Sequence, residues 1–185
     1  MIRATALKWT SMLALMLLGT VTASAGTQQG SGEFIDDGVL TAKVKGALVA
    51  DGTTKAHQIN IETFQGVIQL SGFVSTEEEK MHAGELATSV EGVVEVRNDI
   101  EVRQTLANRS AGEAIDDATL TARVKAALIA DEITRAREIN VETYQGVVQV
   151  SGFVSTNEES TRANRVVLSV HGVQKVKNDL QIKQP

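Results

Sequence analysis

The chain has 185 residues, with 18 Lys and Arg against 23 Asp and Glu, a formal net charge of −5, and no cysteine. Without cysteine there can be no disulfide and no lipid attached through an N-terminal Cys, so the fold must stand on packing alone. An acidic chain with few aromatic residues offers neither the basic grooves nor the stacking platforms that single-stranded nucleic acid needs, and no nucleic-acid partner is expected.

Arg3 and Lys8 open the chain with positive charge, Ser11 to Val21 is almost unbroken apolar sequence, and Ala23-Ser24-Ala25 supplies small residues for cleavage. Residues 1–25 are predicted to be a signal peptide cut after Ala25. Its apolar run falls short of the roughly 20 residues that span a bilayer, so the mature chain is expected to be exported without a transmembrane span. The leader takes two basic residues and no acid with it, which leaves the mature chain at −7. Residues 26–32 read as a flexible lead-in.

A shift of 80 positions superimposes the rest of the chain on itself. Ile35-Asp36-Asp37 meets Ile115-Asp116-Asp117, and Ser71-Gly72-Phe73-Val74-Ser75-Thr76 meets Ser151-Gly152-Phe153-Val154-Ser155-Thr156. More than half of residues 33 to 102 are identical to their partners without a gap. A long period used only twice predicts two complete domains rather than a solenoid. They are placed at 33–103 and 113–183, with the polar stretch 104–112 as linker.

Within each copy, Asp36 (Asp116) is expected to cap a first helix, with Ile35 stapled to Leu40. Leu40, Val44, Ala47 and Leu48 form its buried stripe. Ile59 and Ile61 then alternate with polar residues, Gln65-Gly66 (Gln145-Gly146) makes a tight turn, and Ile68, Leu70, Gly72 and Val74 line one face of a second strand. Gly152 is the counterpart of Gly72. Thr76-Glu77-Glu78-Glu79 is a capping box, and Ala83, Leu86, Ala87 and Val90 are the inner stripe of a second helix, which Gly92 (Gly172) is expected to stop. Val94, Val96, Asn98, Ile100 and Val102 share a face of the last strand. The fold class is therefore α+β: two tandem α-β-β-α-β domains, each a three-stranded mixed sheet with two helices on one face.

The runs Val67-Ile68-Gln69-Leu70-Ser71-Gly72-Phe73-Val74 and Gly92-Val93-Val94-Glu95-Val96-Arg97-Asn98-Asp99-Ile100, with their counterparts at 147–154 and 172–180, resemble the strand motifs of the BON-domain family. The resemblance covers residues 33 to 183 and implies a periplasmic protein that associates with phospholipid membranes and serves envelope maintenance or osmotic stress. It also implies that the glycines carry fold and not chemistry.

No catalytic constellation emerges. His57, His82 and His171 stand opposite Arg137, Arg162 and Glu91, so no histidine site belongs to the shared unit, and no histidine spacing suits a metal. Asp36-Asp37 and Asp116-Asp117 are explained by helix capping. Asn98 and Asn178, on an apolar strand face, are expected to satisfy backbone groups. No enzyme activity, cofactor or metal is predicted.

The two copies differ mainly in charge. Residues 33–102 hold 5 basic against 13 acidic residues, and residues 113–182 hold 8 against 10. Glu85, Glu91 and Glu95 become Arg165, His171 and Lys175. A face bearing Arg162, Arg165, Lys175 and Lys177 is therefore expected to meet anionic phospholipid headgroups reversibly, each basic residue contributing about 1 kcal/mol. The competing expectation is a chaperone-like module that binds envelope proteins through apolar surface or a sheet edge.

Overall fold

The computed structural model describes residues 36–103, 116–134 and 138–183. The predicted signal peptide, the lead-in, Ile35 of the expected staple and the linker all lie outside them. All described residues fall in one compact unit.

The first copy runs α1 (Asp37–Asp51), β1 (Ile59–Phe64), β2 (Val67–Val74), α2 (Glu77–Thr88), β3 (Glu95–Asn98) and the short β4 (Glu101–Val102). The second runs α3 (Asp117–Ala130), β5 (Ile139–Tyr144), β6 (Val147–Val154), α4 (Asn157–Ser169) and β7 (Lys175–Ile182). In each sheet the middle strand pairs antiparallel with the strand before it and parallel with the last one, in register Ile61 to Leu70 and Ile68 to Val96 in the first copy. The hairpin can be tight because Gln65 and Gly66 both adopt positive φ (50° and 78°), the twist that suits a two-residue antiparallel turn. The parallel return needs a crossover, which α2 and α4 supply.

The apolar stripes predicted for the helices close onto one sheet face. Leu40, Val44 and Leu48 are fully buried with Ile68, Leu70, Val74, Ala83, Ala87 and Ile100, and Leu120, Val124 and Leu128 do the same in the second core. The last strand departs from expectation in the first copy. It breaks after Asn98 and resumes at Glu101, whereas β7 is continuous. Val94, expected on its apolar face, is 76% exposed.

The second helices end before the glycines expected to stop them. α2 stops at Thr88 and α4 at Ser169, their last turns tightening so that Val90 N donates to Ala87 O at 3.3 Å and Val170 N to Val167 O at 3.1 Å. Gly92 and Gly172 come later, at φ 99° and 103°, in the turn that leads to the last strand.

Candidate functional site

The four basic residues predicted to share a lipid-facing surface are not brought together. Val176 packs on the core, so the alternation of β7 sends Lys175 and Lys177 to the sheet face opposite the helices. Arg162 and Arg165 belong to the helix layer. Arg162 is also engaged: its guanidinium lies 2.7 Å from Asp131, which raises the Arg162 pKa and holds the Asp131 carboxyl below its ordinary value. Lys177 is paired with Glu101 of the first copy. Arg165 and Lys175 are exposed.

The acidic pairs divide their roles. Asp36 caps α1, accepting from Gly38 N at 2.8 Å, and Asp116 takes the same backbone position without a side-chain cap bond. Capping does not account for the second carboxylate of each pair. Asp37 accepts from Gln65 N at 2.7 Å and Gly66 N at 2.9 Å, and Asp117 from Gln145 N at 2.6 Å and Gly146 N at 3.0 Å. Each therefore ties the helix start to the hairpin turn. Asn98 donates to Lys80 O at 2.7 Å, and Asn178 to Ser160 O at 3.2 Å, joining the last strand to the second helix. Among the described residues no group of His, Asp and Glu is arranged to hold a metal ion, and no helix is long and apolar enough to cross a membrane.

What the sequence reading missed is the outer face of each sheet. Every residue of β2 from Ile68 to Val74 is buried, including Gln69 (0% exposed) and Ser71 (1%), because β2 packs back to back against β6. Gln69 Oε1 accepts from Gly152 N at 2.8 Å, and Gln149 Oε1 from Gly72 N at 2.9 Å. Gln69 Nε2 donates to Asp99 Oδ2 and Asp179 O, while Gln149 Nε2 donates to Asp179 Oδ2 and Asp99 O, all at 2.6–2.8 Å. Asn60 bonds Glu142, and Asn140 bonds Glu62. Ser71 and Ser151, equivalent residues, meet each other at 2.8 Å.

The contacts are thus reciprocal, as about a two-fold axis through the serine pair. Aromatic pairs flank it, Phe64 with Phe153 at 5.5 Å and Phe73 with Tyr144 at 5.7 Å between ring centres. Burial raises the pKa of Asp179 and of Glu62, against the hydrogen bonds from Gln149 and Asn140. Clefts of about 420 and 370 Å³ remain at the ends, the second lined by Phe73, Tyr144 and Lys175.

Among the described residues, exposed cations without an ion-pair partner also lie on the outer sides of the first helices, Lys43 and Lys45 on α1 and Arg123 and Lys125 on α3. α3 buries Leu120, Val124 and Leu128, and its opposite side exposes Ala122, Arg123, Lys125, Ala126 and Ile129, the last at 69%. Ile133, in the turn after it, is 41% exposed. Arg123 and Lys125 have no ion-pair partner among the described residues. An apolar strip between basic side chains matches the layered chemistry of a lipid headgroup region. The signal was present in sequence as Ala122, Ala126 and Ile129 at helical spacing, alongside the buried stripe.

The fold and its docked sheets define a two-domain α+β chain with one repeated unit. The BON-domain family model matches residues 36–104 and 116–184, and the chain belongs to the BON-domain family. It is 42% identical over 169 residues to osmotically-inducible protein Y of Escherichia coli, covering 89% of this chain and 84% of that one. It is 31% identical to the outer membrane lipoprotein DolP of Haemophilus influenzae, covering 85% and 81%. It is 32% identical to a 21 kDa hemolysin of Actinobacillus pleuropneumoniae, covering 83% and 74%.

Proposed function

We propose that this chain is a non-catalytic periplasmic protein of envelope stress that associates reversibly with anionic phospholipid surfaces through its second domain. The observation that carries the reading is the outward face of α3 and the turn after it, which expose Ile129 and Ile133 together with Arg123 and Lys125, two cations without an ion-pair partner among the described residues. The relatives named for an outer membrane lipoprotein and for osmotic induction support the envelope setting. Two cations at about 1 kcal/mol each and two half-inserted aliphatic side chains give weak, releasable binding rather than anchoring. In this reading the lipid-facing set is Arg123, Lys125, Ile129 and Ile133, in place of Arg162, Arg165, Lys175 and Lys177.

Co-sedimentation with vesicles tests it. The mature chain is expected to pellet with anionic but not neutral vesicles, and less at high salt. The double variant Arg123→Gln/Lys125→Gln should lose that binding with its stability unchanged. Binding to neutral vesicles that ignores salt, or an unaffected double variant, would overturn the assignment. A chaperone-like role would instead give client binding that persists in high salt.

A further inference from the structure

The two clefts at the ends of the docked sheets are images of one another under the repeat, yet their charge differs. The first is lined by Phe64, Val67, Glu95 and Phe153. The second is lined by the equivalent Tyr144, Val147, Lys175 and Phe73, with Glu101 and Val102.

Strand register builds the second cleft. Tyr144 pairs with Val147 and Val147 with Lys175, so these side chains form a row across the outer face of the second sheet. Two strand spacings make that row about 10 Å long. Phe73 and Glu101, partners in the first sheet, close the other side, with Phe73 against Tyr144 at 5.7 Å between ring centres. Arg103 N donates to Val74 O, which continues the ladder past Val102 and puts Arg103 on the face of Glu101. Its guanidinium carbon lies 5.3 Å from the centre of the Tyr144 ring.

Charge sets the kind of occupant. At the first cleft both cations are answered: Arg97 lies 3.1 Å from Glu95, and Lys183, 5.5 Å from the centre of the Phe64 ring, is paired with Glu138. At the second, Lys175 stands in place of Glu95, and Gln58 in place of Glu138. Glu101 answers Lys177, and no carboxylate among the described residues answers Lys175 or Arg103. The Arg103 Nε is buried without a hydrogen-bond acceptor. Two uncompensated cations beside aromatic and aliphatic walls suit a ligand that carries both negative charge and an apolar body.

We propose that the second cleft binds a small aromatic carboxylate. The ring lies against Phe73, Tyr144, Val102 and Val147, and the carboxylate meets Lys175, with Arg103 adding its charge from beside Tyr144. The volume of about 370 Å³ falls within the range usual for small-molecule sites. The cleft opens between the sheets, whereas α3 packs on the opposite face of the second sheet, so the site is independent of the lipid-facing helix.

The test titrates the full mature chain with naphthoate, with the uncharged naphthylmethanol and with inorganic phosphate, followed by NMR at low salt. Naphthoate should bind about tenfold tighter than either of the others, the worth of one charged hydrogen bond. Its amide shift changes should gather on Phe73, Tyr144, Val147 and Lys175 and leave Phe64 and Phe153 unmoved. Lys175→Glu recreates the arrangement that the first cleft already folds with, Glu95 beside Arg97. It should weaken naphthoate about tenfold, through a lost ion pair and a new repulsion, with the thermal melt unchanged. Arg103→Gln should weaken it by a smaller factor. Equal or tighter binding of either other probe, binding of none, or shifts centred on Phe64 and Phe153 would overturn the proposal. So would a Lys175→Glu chain that binds naphthoate as before.

Discussion

Asp36 and Asp37 are neighbours with different structural roles. The first turns back on its own helix, as its position before an apolar-periodic stretch announces. The second reaches a turn 28 and 29 residues away, a partner that no local pattern specifies. Asp37→Ala leaves two turn N–H groups without their charged acceptor and should cost about 1.5–3 kcal/mol in urea denaturation, against about 1 kcal/mol for Asp36→Ala.

His82 shows the opposite relation between copies. It lies 3.0 Å from Asp51, where the second copy holds Arg162 against Asp131. The hydrogen bond to Asp51 raises the His82 pKa, and the Asp51 pKa is lowered to about 2 by its bonds to Thr53 and His82. A raised folded pKa means that the pair's stabilisation is fully present below the unfolded histidine value and lost as pH rises through the folded one. The Asp51 contribution is complete above its ordinary value of 3.8 and is lost as pH falls from there through about 2. Thermal melts across the neutral range should show Tm falling as pH rises, and His82→Arg should flatten that slope.

At the scale of elements, β2 shows most clearly where the sequence was legible and where it was not. Ile68, Leu70 and Val74 were readable as a core face because apolar alternation reports burial on one side. The other side reads Gln69, Ser71, Phe73, which period-2 logic assigns to water. It is buried because a second sheet supplies every hydrogen bond that water would have made. Helices, strands and the tight turns followed from residue types and spacing. The docking did not, since its signal is the exact repetition of polar residues in both copies rather than any apolar excess. Gly72 belongs to this element too: at φ 118° a Cβ would collide with the Gln58 carbonyl. Gly72→Ala should destabilise the chain by several kcal/mol, measurable as a lowered urea midpoint.

For the whole molecule, the docked sheets couple the two domains. Gln69→Ala/Gln149→Ala leaves the Gly72 and Gly152 amides and two aspartates short of partners, a loss of about 1–3 kcal/mol for each buried group orphaned. Calorimetry should then show one unfolding transition in the parent chain and two separate ones in the double variant. The coupling also fixes which surfaces remain available. Lys177 is spent on Glu101, and Arg97 on Gln181, at 2.6 Å. Sequence alone could not show that half of the predicted lipid-facing residues were engaged, because their partners depend on packing: Asp131 on the neighbouring helix turn and Glu101 in the other domain.

The serine pair at the centre of the docked sheets has a consequence for ancestry. A surface on which Ser71 meets its own equivalent, and every other contact is made twice, is one that a molecule can present to an identical copy of itself. A single-domain forebear with this face would have paired with its twin. Fusing the twins makes their association intramolecular, so a largely polar seam can hold them at any dilution. It also frees each half to drift on its own, and this chain has used that freedom, leaving one half acidic and the other nearly balanced in charge.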